Sequence, residues 1–171
     1  MPTTTVTPTS FTTQDPAQGG LPVTGATNTG HANTSVSAAG DDIGVSQEKS
    51  CLWTGFTNVS GSPITKTLKI THTSQGSFSG ASATNIFTLE YSLNGGGAWS
   101  TAVSRVAMTT SQGPTVFSVA LPASQDLTQV RVRDFMQAIA VNIGHSAAAD
   151  ATISDINIEI ATQDVQVVIL M

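Results

Sequence analysis

The 171-residue sequence has one cysteine, few charges, few aromatic residues and no long apolar run. A lone Cys51 excludes an intrachain disulfide, and its setting in SCLWTGF reads as a small buried hydrophobe rather than a reactive thiol. Lys and Arg number 6 against 11 acidic residues, for a net charge of −5. Neutralising phosphates takes clustered cations, and the close basic pairs are Lys66/Lys69 and Arg131/Arg133, so no nucleic-acid partner is expected. No stretch approaches the roughly 18 apolar residues of a spanning helix, so no membrane partner is expected either. The opening MPTTTVTPTSFTTQ lacks the basic start and apolar stretch of a secretory signal. If the protein acts outside a cell, it is expected to leave by lysis, by a non-standard route or on a particle.

Charged residues make up 10% of the chain, against roughly 25% in an average soluble domain. Ser, Thr, Gly and Ala take their place, which favours strands and turns over helices. Residues 1 to about 45 are rich in Thr, Gly, Pro, Ala and Asn, with scattered apolar positions that follow no period. Such an arm cannot bury enough surface alone to offset its ordering entropy, so it is expected to lie on its own domain or on a neighbouring subunit.

From 46 to 171 the pattern is that of strands. Ile64, Leu68 and Ile70 are expected on one face of ITKTLKIT; Phe87, Leu89, Tyr91 and Leu93 alternate in FTLEYSL. Phe117, Val119 and Leu121 form a third set, and Ile156, Ile158 and Ile160 a fourth. This period of two marks half-buried antiparallel strands. Further strands are expected at 51–56, 105–108, 130–143 and 165–171. Turn signals separate them, at GSP, GGG, QGP and PASQD. The predicted fold is all-β: an antiparallel sandwich, jelly-roll-like, carrying an extended N-terminal arm.

The most conspicuous motif is LEYSLNGGGAWS. Ser92, Asn94, Gly96 and Trp99 have the spacing Ser-x-Asp-x-Gly-x-x-Trp with Asn for Asp, which resembles the Asp-box, a hairpin motif of sialidases and of unrelated β proteins. The resemblance implies a structural turn: Asn94 bonds backbone amides, the glycines supply positive φ, and Trp99 covers the hairpin. His31, His72 and His145 show no metal-ligand spacing and read as surface or turn histidines. Asp150, Asp155, Glu159 and Asp164 lack the Asp-x-Asp-x-Asp loop of a calcium site. Nothing assembles a nucleophile, base and oxyanion site, so no enzyme, no cofactor and no metal are expected. VQVVILM at 165–171 is uncharged and apolar on both faces, which predicts a strand covered on both sides, within its own sandwich or against another subunit.

An arm joined to a charge-poor sandwich resembles phage structural proteins of the capsid decoration or neck and tail accessory type. That resemblance implies a virion location and a non-enzymatic role, with a homo-oligomer (trimer favoured) and other virion proteins as partners. Val6, Phe11, Leu21 and Val23 of the arm, with Val165, Val167, Ile169 and Leu170, are the candidate interface. The alternative is a module that binds carbohydrate or a cell surface. For it Trp99 is the natural aromatic, because Tyr91 is predicted to face inward and Trp53 lies in an apolar strand.

Overall fold

Alternation of apolar with Thr-, Ser- and Lys-type side chains sends the chain back and forth as strands. The structure, a computed structural model, describes residues 2–14, 32–39 and 45–163. Within them lie β1 (Thr3–Val6), β2 (Ser10–Gln14), β3 (Ala32–Ala39), β4 (Val45–Thr54), β5 (Pro63–Ser79) and β6 (Ala83–Ser92). Then follow β7 (Ser100–Val106), β8 (Gln112–Leu121), a short 3-10 turn at Leu127–Gln129, β9 (Arg131–Ala140) and β10 (Ser146–Thr162). All pairings are antiparallel.

Two sheets result. One runs β3–β10–β5–β8 and the other β4–β9–β6–β7, so most consecutive strands change sheet. This is the eight-strand order of a jelly roll, two Greek keys folded face to face. The all-β sandwich predicted from the alternation is the fold. The segment at 134–140, in which Phe135, Met136 and Ile139 could also form a helical face, is strand, inside β9.

The start of the arm is woven into this frame. β1 lies beside Ile158–Ala161 of β10, on the edge that β3 occupies farther along, at 146–153. β2 adds to the other sheet, pairing Ser10–Gln14 with Ser50–Thr54 of β4. Between them the chain crosses from sheet to sheet, held by Thr9 Oγ1 donating to the Gly55 carbonyl at 2.8 Å. Such Thr-rich edge strands gain their order from ladder hydrogen bonds rather than from side-chain burial.

The core lies between the sheets. Trp53, Phe56, Phe87, Leu89, Leu127, Val132 and Met136 meet Leu68, Ile70, Ile153, Ile156, Ile158 and Ile160, all essentially without exposure. The inward residues of β10 are Ala147 to Ile153 at odd numbers and then Ile156 to Ile160 at even ones. A β-bulge at Ser154 makes the switch, because Ile153 and Asp155 face the adjacent residues His72 and Thr71.

The expectation for Ile64 is corrected: it is 45% exposed. The β5 register slips between Pro63 and Thr65, and β8 first pairs at Lys66, so no described strand stands across Ile64. Lys66 takes the inward position instead, its Nζ donating to the Gln125 carbonyl at 2.6 Å.

Candidate functional site

Strand alternation leaves one face of β4, β9 and β6 turned away from the core, and the register arranges it in rows. Leu52, Arg133 and Glu90 stand side by side, followed by Ser50, Phe135 and Thr88, then Glu48, Gln137 and Ile86. Above the first two rows and beside Glu48 lies an open groove of about 770 Å³, flanked by Trp99 from the hairpin before β7. Its floor is a phenyl ring between two hydroxyl-bearing side chains, with carboxylates at opposite corners.

The polar groups are held by one another. Arg133 Nε donates to Glu90 Oε2 at 2.6 Å, and the Arg133 guanidinium carbon lies 3.9 Å from the centre of the Trp99 ring. Gln137 Nε2 donates to Glu48 Oε1 at 2.6 Å. The Arg133–Glu90 pair is partly open to water, so it contributes about 1 kcal/mol or less to stability. Its consequence is orientation: the Glu90 carboxylate, the Arg133 guanidinium and the Trp99 ring are held against one another before any ligand arrives.

Trp99 owes its position to the hairpin. Ser92 Oγ donates to Asn94 Oδ1 at 2.9 Å and accepts the Gly96 N–H at 2.9 Å; the Ala98 N–H donates to Asn94 Oδ1 at 2.8 Å. Gly95 and Gly96 have φ of 73° and 98°, which side-chain-bearing residues rarely adopt. The Gly95 N–H donates to the Gln129 carbonyl at 2.8 Å, tying the tip to the 3-10 turn. That turn begins at Asp126, whose carboxylate is held below its ordinary range by hydrogen bonds from Thr128 and Asn58. The Trp99 ring lies against Gly96 and faces the groove.

Beneath the groove, on the inner face, Lys49 and Cys51 of β4 neighbour Asp134 and Met136 of β9, all buried. Asp134 Oδ1 accepts the Cys51 N–H at 2.6 Å. Burial and then the Asp134 charge push the Cys51 thiol up to about 12, so it stays neutral and inert.

The other candidates separate. His72 is buried rather than on the surface, its ring 5.7 Å from that of Phe87; it lies on the inner face of β5, where the alternation of Leu68 and Ile70 continues. Glu159 pairs with Lys69 at 2.7 Å, Asp155 accepts from the Asn157 amide, and Asp150 is approached by Gln75, so these carboxylates do not converge. Among the described residues no three His, Cys, Asp or Glu form a group able to hold a metal ion. Val6 is a core residue of its own chain, and Phe11 packs against that core. Leu21, Val23, Val165, Val167, Ile169, Leu170, His31 and Asp164 lie outside the described residues. Tyr91 packs inward against Phe117, and Trp53 is fully buried.

Phe135 is the residue that the sequence reading missed. Its signal was the parity of 131–140: once Val132 and Met136 are inward, Arg133, Phe135 and Gln137 share the outer face.

No family model matches this sequence, and no curated protein does. Among solved structures, one titled as the structure of infectious bursal disease virus, Gx strain, matches 79% of this chain and 33% of that chain at 16% identity. This chain thus spans about a third of that one, and the TM-score is 0.25. A superposition so loose carries no argument about role.

Proposed function

We propose that this chain is a structural, non-enzymatic component of a virus particle, which decorates or stabilises the particle through contacts between subunits. The observation that supports this reading best is the outer edge of β8. Gln112 to Leu121 carries no charge, Val116 on it is 56% exposed, and no described strand pairs with that side. Soluble proteins commonly protect an open edge with lysine, proline or a bulge. Here Pro114 occupies one end, and Thr115–Ala120 has no such protection.

The occupant that fits is a second copy of the chain. VQVVILM at 165–171 is uncharged and rich in β-branched residues, and a segment of that composition added as a strand would satisfy the open side of β8. Head-to-tail donation from copy to copy forms a ring where its rotation closes, and a trimer is the ring proposed here. The jelly-roll frame and the charge-poor, Thr-rich composition agree with the finer assignment to a phage decoration or neck and tail accessory protein.

Light scattering coupled to size-exclusion chromatography tests the reading. The full chain is expected to run as a homo-oligomer, and either removal of 165–171 or Ser118→Lys on β8 to give a folded monomer. A full-length chain that stays monomeric at all concentrations would overturn the proposal.

A further inference from the structure

We propose that the groove over β4, β9 and β6 is a binding site for a neutral oligosaccharide. This goes beyond subunit contact and rests on different residues. The argument begins with the floor. Phe135 offers an apolar ring bordered by the hydroxyls of Ser50 and Thr88, and Trp99 flanks it. A pyranose has the matching surface: one face of C–H groups that lies on an aromatic ring, and a rim of hydroxyls that both donate and accept.

The rim chemistry points the same way. Glu48 and Glu90 are each engaged through one oxygen, by Gln137 and Arg133, and among the described residues no hydrogen bond to the other oxygen competes with sugar hydroxyls. Arg133 brings donors to the same row. Because these groups are already bonded to one another, little side-chain freedom remains to be lost on binding. The groove volume of about 770 Å³ falls within the roughly 300–1,000 Å³ of small-ligand sites and has room for a short oligosaccharide.

Charge decides which saccharides. Glu48, Glu90 and Asp134 against Arg133 and Lys49 leave the lining with an excess of one negative charge, which disfavours sialylated and sulfated glycans. The same excess disfavours nucleotides. An extended peptide takes its affinity from main-chain pairing at a sheet edge, and this surface is the middle of a sheet.

The experiment is a glycan array printed with neutral hexose and N-acetylhexosamine oligosaccharides beside sialylated and sulfated ones. It is followed by titration calorimetry with the best neutral probe. The full-length chain is expected to retain neutral probes and not anionic ones, and Phe135→Ala to weaken binding at least tenfold. Glu90→Gln, which removes a charge without emptying the floor, is expected to weaken it severalfold and covers the case in which Phe135→Ala does not fold. Ser118→Lys on β8 is expected to bind as the unmodified chain does, whatever its oligomeric state, which keeps this test apart from that of assembly. Retention of no neutral probe, preference for anionic probes, or affinity unchanged by both groove variants would overturn the proposal.

Discussion

Gly76 and Asn85 stand so close across the two sheets that a Cβ at residue 76 would lie 2.5 Å from Asn85 Nδ2. The fully buried Asn85 amide uses this closeness. Its Nδ2 approaches the carbonyls of Met108, Ala148 and Ser77 at 2.9, 3.0 and 3.1 Å, and its Oδ1 accepts the Met108 N–H at 2.6 Å. One side chain on β6 therefore joins β5 and β10 of the opposite sheet to the β7–β8 connection.

Asn85→Ala removes the side-chain partner of the buried Met108 N–H and carbonyl and of the part-buried Ser77 and Ala148 carbonyls, and is expected to cost about 3 kcal/mol in urea unfolding. Gly76→Ala pushes the same amide aside and is expected to cost about 1–3 kcal/mol. Because both changes break one network, the double variant should lose clearly less than the sum. Additive losses would show that Gly76 is needed for some other reason.

His72 makes stability depend on pH. Burial, then the charge of Arg105, lowers its pKa below the ordinary 6.5, and neither ring nitrogen finds a hydrogen-bond partner among the described residues. Protonation is thus harder in the fold than in the unfolded chain. The corresponding stability is complete above about pH 6.5 and declines as pH falls from there toward the lowered folded value, by at most about 1.4 kcal/mol per unit. His72→Phe should flatten the unfolding midpoint between about pH 7 and about pH 5. Equal slopes in both proteins would contradict a neutral buried imidazole.

The bulge in β10 predicts an unusual tolerance. Ile153 and Asp155 already pair with the adjacent residues His72 and Thr71, so removing Ser154 leaves both inward sets in phase. The deletion should fold and cost about 1–2 kcal/mol. Deleting Asn157 instead turns one half of the strand inside out, with the isoleucines or the alanines facing water, and should abolish cooperative unfolding monitored by circular dichroism.

The sandwich was legible where apolar side chains alternate without interruption, as in Phe87–Leu89–Tyr91 and Ile156–Ile158–Ile160. It was illegible where the ladder itself breaks the period. The slip beside Ile64 and the bulge at Ser154 depend on partner strands distant in sequence. β1 and β2 carry almost no apolar period, because at a sheet edge the backbone supplies most of the order. The groove was hidden for a related reason. Ser50, Phe135 and Thr88 form a row only after three strands have been set in register, and no local spacing announces that. Trp99 stood out as the natural aromatic, while nothing local singled out Phe135, the ring on the floor beside it.

Thr4 sits opposite Ile160, and Val6 opposite Ile158. On a ribosome adding about 5–20 residues per second, the first strand waits on the order of ten seconds for its neighbour to be made. During that interval β5 also lacks β10, its longest partner. Closure of the jelly roll is thus a late, concerted event, and folding is expected to be slow for the chain's size.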